Sequence, residues 1–490
     1  MIRTALGLEL RSVLRSPLRL VAVVFVVAAG VFAILQGQRD VGRWQEAVDA
    51  GRAEQEESLA ETRAHFAAGR SGPEERPWVD LSKPRWQDWY AATRLAREPA
   101  PLAGIAFASA EAGAVAVRIN RYADPLLAQG SKIDNPELAA AGGLDLVAVL
   151  ALLLPLLILA LGVEIGGHER ASGILPLVRV QSGRDGAWIA ARCLAVGLFG
   201  AGAGLLLTAV AWVVGAADAG SALALAGVVT AYAAVWTAVL AAVAHVARHP
   251  SQSAVALGSI WIVLCVLVPA VGVERSAALA ADDFALDLTV DARDASRGLD
   301  ELEDDALFAA LLQRFPELEQ VVPEDRAAAA DTARAGLRIV GLEERMARRE
   351  ERGQAQTRLV RWMSAASPAV AFTHALERLA GRHPDAARDH RRAVVAAAAS
   401  RMETYIAAAW TGIPLDAADF EALHASTPER LEGAADAAWS EAAVLVAWAL
   451  VFLGVAFLSA RGDRRGGAPH TARAGAPPAS QAAPATRTLR

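Results

Sequence analysis

Six stretches of this chain run for 18 or more residues without a single Asp, Glu, Lys or Arg. They are residues 20–38, 146–163, 193–217, 219–247, 249–273 and 442–460. About 20 mostly apolar residues carry a helix across roughly 30 Å of hydrocarbon. A large soluble core can bury one or two such helices. Six of them, in a chain of 490 residues that is 54% hydrophobic, point instead to an all-α polytopic membrane protein. Two further apolar stretches fall short. Residues 99–110 end at Glu111, and the alanine-rich stretch from Ala393 is broken by Arg401 and Glu403. Both are expected as packed or interfacial helices outside the membrane.

The arginines orient the spans. Arg3, Arg11, Arg15 and Arg19 precede the first run, and no small-x-small cleavage site follows it cleanly, so it reads as a retained signal anchor. With the N-terminus in the cytoplasm, six spans return the C-terminus there too. The cytoplasmic pieces then carry fifteen arginines against five acids, a net charge of +10, while the remainder carries −16. The formal net charge of −6 is the difference of the two, and basic loops on the cytoplasmic side fit the positive-inside rule.

The expected layout is a cytoplasmic N-terminus (1–19), a first span (20–37), a first extracytoplasmic segment (38–143), a second span (144–163) and a cytoplasmic loop (164–188). Spans three to five follow (189–216, 221–247, 253–273), then a second extracytoplasmic segment (274–438), a sixth span (439–460) and a disordered cytoplasmic tail (461–490). Lys83 and Lys132 are the only lysines among 48 basic residues. With the abundant alanine, this fits a high-GC bacterial coding bias, and hence a bacterial inner membrane. Cys193 and Cys265 both fall inside apolar runs, leaving the outer segments no disulfide framework.

Both outer segments read as mainly helical. Residues 41–66 continue the first span as a helix, after which Pro73, Pro77 and Pro84 impose loop structure. Residues 325–363 lack proline, and Glu344 and Arg348 form an i,i+4 pair. A further helix is expected over 385–410, before Gly412 and Pro414. The acidic run 300–305 lacks the alternating ligands and glycine of a calcium loop and reads as a solvated helix start. His374, His383 and His390, set among many arginines, read as surface residues.

No catalytic, cofactor or metal site is expected in this chain. A phosphate-binding loop needs Gly-x4-Gly-Lys-Ser/Thr, and neither lysine has that setting. His245 and His249 are spaced i,i+4 but lack an evident third ligand. No Gly-x-Ser-x-Gly elbow or His-Glu-x-x-His helix occurs. Nothing in the mildly acidic balance favours nucleic acid. Asp145, Asp218, Glu441 and Glu164 lie at the edges of the apolar runs rather than at mid-bilayer. That argues against a proton-driven carrier and for energy supplied by another protein.

The loop after the second span reads Gly166-Gly167-His168-Glu169-Arg170-Ala171-Ser172-Gly173-Ile174-Leu175, then Gln181-Ser182-Gly183-Arg184. It resembles the cytoplasmic loop of ABC-2 type transporter permeases, in which a Glu-Arg-Glu-x-Gly-Thr-Leu stretch precedes a short coupling helix. Glu169, Arg170, Gly173 and Leu175 match; Ala171 stands for the second glutamate and Ile174 for the threonine. Ser367-Pro368-Ala369, Ala375-Leu376 and Leu379-Ala380-Gly381 resemble the region that defines a subgroup carrying the domain of unknown function 3526. The resemblance covers nearly the whole chain in layout, with specific motifs over about forty residues. It implies the permease subunit of an ATP-driven transporter, concerned with export or the cell envelope, that pairs with a second permease chain within membrane lipid. A separate cytoplasmic ABC ATPase would carry the ATP-Mg. It also implies that Glu169, Arg170 and Arg184 offer charged contacts to that ATPase, with Gly173 and Leu175 shaping the loop. The alternative is a non-transporting scaffold or sensor that works through the helical extracytoplasmic domain.

Overall fold

The computed structural model describes residues 2–107, 116–121, 144–279, 284–424 and 435–466. Among them, six helices are long and apolar enough to cross a membrane. The protein is thus an all-α, multi-pass membrane protein. Helix α1 is Ile2–Arg15 and α2 is Pro17–Ala67. The second span, α4, runs from Leu146 to Gly162, and two short helices follow it: α5, Gly167–Ala171, and α6, Ile174–Ser182. Spans three and four are α7, Asp185–Val213, and α8, Ala219–Val246. The fifth, α9, runs from Pro250 to Leu279. The sixth is α16, Ala435–Gly466; residues 467–490, where the disordered tail is expected, lie outside the described part.

The bundle is arranged around α8. Val229, Tyr232, Val235, Trp236 and Val239 on it are fully buried. A share of 67% of the apolar window of α4 is buried, against 11% for α9 and 22% for α2 and α16. Helices α4 and α8 are therefore interior, and α2, α9 and α16 lie outermost, with apolar side chains that suit lipid. Asp145 and Asp218 at the span edges serve as caps, accepting from the backbone N–H of Ala148 and Ser221, each at 2.8 Å.

Both α4 and α9 are interrupted by one π turn, Val149–Leu153 and Val263–Leu267. A π turn displaces carbonyls from the regular helical ladder, and in hydrocarbon each needs another donor. Tyr232 Oη donates to Ala151 O at 2.7 Å, Trp261 Nε1 to Leu152 O at 3.2 Å and Ser367 Oγ to Leu264 O at 2.6 Å. Ser367 also caps α13, Pro368–Leu379. This helix has 12 residues, too few to span a bilayer. It falls in the stretch assigned to the second extracytoplasmic segment, yet Ala371, Phe372, Ala375 and Leu376 are buried in the core of the bundle. The Phe372 ring stacks on Tyr232 with centroids 4.0 Å apart.

At the end of the bundle where α2 emerges stands a helical domain. It comprises the distal half of α2, α3 (Pro84–Tyr90), α10 (Phe284–Asp300), α11 (Asp304–Arg314), α12 (Arg326–Ala366), α14 (Pro384–Thr411) and α15 (Ala417–His424). Two four-residue strands, β1 (Thr93–Ala96) and β2 (Ala116–Ile119), pair antiparallel, Thr93 opposite Ile119. They were not expected, because so short an alternation carries no signal. The acidic run does start a helix, with Asp304 and Asp305 in the first turn of α11.

The two outer segments share one core. Leu95, Val117 and Ile119 pack with Phe308, Leu311, Leu342, Met402 and Trp410. Buried Arg401 bridges the segments, pairing with Asp88 at 3.3 Å and donating to the Thr93 hydroxyl and to Tyr405 Oη. Asp88 also accepts the backbone N–H of Arg121, and Arg121 pairs with Asp331 at 3.1 Å. The reading of the histidines as surface residues is corrected: His383 is buried, His374 and His390 half-buried. His374 is bonded to Ser364 at 2.9 Å and packed edge-on against the His383 ring. Arginine density was a poor guide here, because Arg378, Arg382, Arg388 and Arg391 are themselves half-buried, with Arg378 paired to Glu441.

Asp88→Ala would leave the Arg401 guanidinium buried with its charge unmatched. It is expected to cost about 3–5 kcal/mol, read as a lower melting temperature of the detergent-purified protein. Asp88→Asn, which keeps one acceptor, should lose less.

Candidate functional site: the loop between the second and third spans

Residues 163–188 fold into two short helices held against four other elements. Gly166 has φ +81, a left-handed value that favours glycine. A Cβ there would lie 2.0 Å from Ala244 O, and one on Gly167 would lie 2.7 Å from His249 O. The paired glycines thus let the backbone press against the turn between α8 and α9.

Glu169 follows at the third position of α5. Its carboxylate accepts the Gly166 N–H at 3.0 Å, Trp188 Nε1 at 3.1 Å and Arg192 Nη1 at 2.5 Å. Arg192 turns its Nε to Glu9 of α1, also at 2.5 Å. Glu9 and Glu169 are both almost wholly buried, so one guanidinium in α7 joins two carboxylates, one from the loop and one from α1. Each partner in the group is met by charge-assisted hydrogen bonds, which a buried ion cluster needs.

Arg170 points the other way. Its Nη1 donates to Ala244 O and Ala247 O, each at 2.7 Å, and its Nη2 to His245 O at 2.8 Å. These are carbonyls that the C-terminus of α8 leaves unpaired, at its negative end. Neighbouring residues therefore tie the loop to span three on one side and to span four on the other.

Glu169 and Arg170 were expected to offer charged contacts to an ATPase; within this chain both side chains hold the loop to its neighbours. Their charges are taken up inside the protein, where they build the loop. Gly173, with φ +75 and nothing near a would-be Cβ, supplies the turn from α5 into α6. Leu175 is buried beneath α6. Arg184 stands exposed at the residue before α7.

The solvent face of α6 is apolar. Ile174, Leu177 and Val180 are 43%, 57% and 85% exposed, and their spacing of three places them along one side of the helix. Beside them, Arg179 Nε donates to Asp185 at 2.8 Å. Gly166, Gly167, Arg192 and Glu9 were missed from sequence. One signal did exist for Glu9. It is the only acid among the first nineteen residues and lies in register with Ala5 and Val13, the buried i,i+4 row of α1.

Glu169→Ala would strip Arg192 of one counter-charge and leave the Gly166 and Trp188 N–H groups unpaired. It is expected to destabilise by about 3–5 kcal/mol. Gly166→Ala should be comparably harmful through the clash with Ala244 O. Melting curves unchanged in both variants would show that the joint carries no structural load.

Residues 187–461 match the family described as ABC-2 family transporter protein. The match begins at the end of the loop, in the first turn of α7, and takes in spans three to six with the second outer segment between spans five and six. No curated protein and no solved structure matches the chain. The matched range covers more than half of the sequence, and the chain belongs to the ABC-2 family of transporter proteins.

Proposed function

We propose that this chain is the permease subunit of an ATP-driven exporter, energised by a separate cytoplasmic ABC ATPase that binds the ATP-Mg. The loop end of the bundle would then face the cytoplasm of a bacterium, with both termini there and the helical domain outside the inner membrane. The distribution of arginine supports that orientation. A second permease chain, identical or similar, would complete the pathway. The Ser367-Pro368-Ala369 cap and the α13 residues that follow support placement in the subgroup with the domain of unknown function 3526. A cell-envelope component is the substrate class in keeping with so large an external domain.

The observation that carries this reading is the make-up of the loop. An exposed apolar helix, α6, stands on a joint whose adjacent charges grip spans three and four. Ile174, Leu177 and Val180 would seat in the ATPase, and Arg184 at the end of the loop would add a charged rim contact. Glu169 and Arg170 would pass the displacement to α7 and α8, with Gly173 and Leu175 fixing how α6 sits on α5.

Purification from native membranes should bring down a cytoplasmic ATPase, and reconstitution with that ATPase should stimulate its hydrolysis. Leu177→Arg, on the exposed face, is expected to reduce that stimulation about tenfold, matching a lost interface anchor of about 1.4 kcal/mol, without shifting the melting temperature. A scaffold or sensor would instead bind an external protein and show no ATP dependence, and the absence of any associated ATPase would favour it.

A further inference from the structure

Helix α12 comes down from the domain and ends against the spans. Its last turns are held on one side. A Cβ on Gly272 of α9 would lie 2.5 Å from Met363 Cε. Gly272 is the last residue but one of the fifth uncharged run, so Met363 stands level with the edge of the hydrocarbon. Beyond it, Ser364 is bonded to His374, and Ser367 Oγ reaches Leu264 O inside the run. Trp448 Nε1 of α16 holds the backbone at Ala365 O, 3.1 Å away.

The side chains turned away from Met363 are exposed. Trp362 is 76% exposed, and Arg358, Arg361, Ala365 and Ala366 are exposed with it. At 3.6 residues per turn they share the face opposite α9. Along the axis this face runs from charged to apolar: two arginines, an indole, then two alanines. At 1.5 Å per residue, Arg361 lies about 3 Å and Arg358 about 8 Å outside the level of Met363. That is the depth of lipid headgroups, and the alanines lie on the hydrocarbon side.

The sign of the charge is local. Residues 352–366 hold three arginines and no acid, whereas the extracytoplasmic remainder as a whole carries −16. Among the described residues no acid pairs with Arg358 or Arg361. Both guanidinium groups are open to solvent.

We propose that this face of α12 binds anionic phospholipid in the leaflet on the domain side. Arg358 and Arg361 meet the phosphates, whose oxygens match a guanidinium fork in geometry and charge. Trp362 lies at the boundary of headgroup and chain, where indole rings are favoured. Ala365 and Ala366 leave room for the acyl chains beneath it. The site follows from how α12 lies against α9 and does not depend on the transport reading.

Cys193 and Cys265 are buried, so one introduced thiol of the full chain can carry a bimane fluorophore. Ala366→Cys puts it below Trp362, and Val213→Cys puts it at the exposed end of α7 on the same side of the bundle. The labelled chains are reconstituted in vesicles of phosphatidylcholine and phosphatidylglycerol, with quenching bromines on the acyl chains of one lipid or the other. At Ala366 the phosphatidylglycerol should be favoured about tenfold at low salt, since one arginine near an anionic surface is worth up to about fivefold. At Val213 the two lipids should quench alike. Arg358→Gln or Arg361→Gln should reduce the preference to a few-fold, and the two together should abolish it. Equal quenching by both lipids at Ala366 would overturn the proposal, as would a preference that survives the double variant. So would protection of Ala366 from both lipids while Val213 is quenched, which would mean that another protein chain covers this face. Salt gives the same test without a substitution: the preference of the native chain should collapse at high salt, and its persistence there overturns the proposal.

Discussion

Hydrocarbon offers no hydrogen bonds, and most of this structure follows from that constraint. The backbone of each span must satisfy itself, so the spans are helices. Where α4 and α9 depart from the regular ladder, displaced carbonyls have to be met by side chains, and Tyr232, Trp261 and Ser367 meet them. One of those donors belongs to α13. The π turn of α9 thus draws the cap of a short helix from the outer segment into the bundle, where Phe372 stacks on Tyr232. A hydrogen-bond deficit in one layer is resolved by an element borrowed from another.

The same reasoning explains the loop end. The buried charges there are arranged as an interior lattice: Glu9 to Arg192, Arg192 to Glu169, and Arg170 to the last carbonyls of α8. The lattice joins α1, α5, α7 and α8 through directional contacts that tolerate little slippage. The apolar face of α6 is what remains outside. Rigid support beneath an exposed apolar helix is what the proposed coupling to an ATPase would require.

Much of this was legible from residues alone, because the signals were long. Uncharged runs of 18 to 29 residues announce spans whatever their packing, and the 51 residues of α2 include no proline after Pro17. Short signals failed. The strands at 93–96 and 116–119 have four residues each. The helix over 368–379 was visible only as a motif, and its burial depended on partners distant in sequence. Glu169 and Arg170 were found by their spacing, but which way they faced was not, since an arginine on a basic loop looks alike whether it meets solvent or the end of a neighbouring helix. Direction of this kind is set by tertiary contacts such as those of Gly166 with Ala244, which one-dimensional patterns do not encode.

The first span has no hinge where it leaves the bundle. Helix α2 continues unbroken for 51 residues, about 75 Å, and its distal half is fastened to the outer body by the Arg63–Glu421 ion pair and the Phe66–Phe420 contact. Such a rod works as a lever. With some 29 residues projecting beyond the apolar run, a tilt of about 5° within the membrane would sweep its tip by roughly 4 Å. Small rotations among the spans would therefore reappear, enlarged, at the far face of the domain, and a load applied there would be felt at the base of the first span.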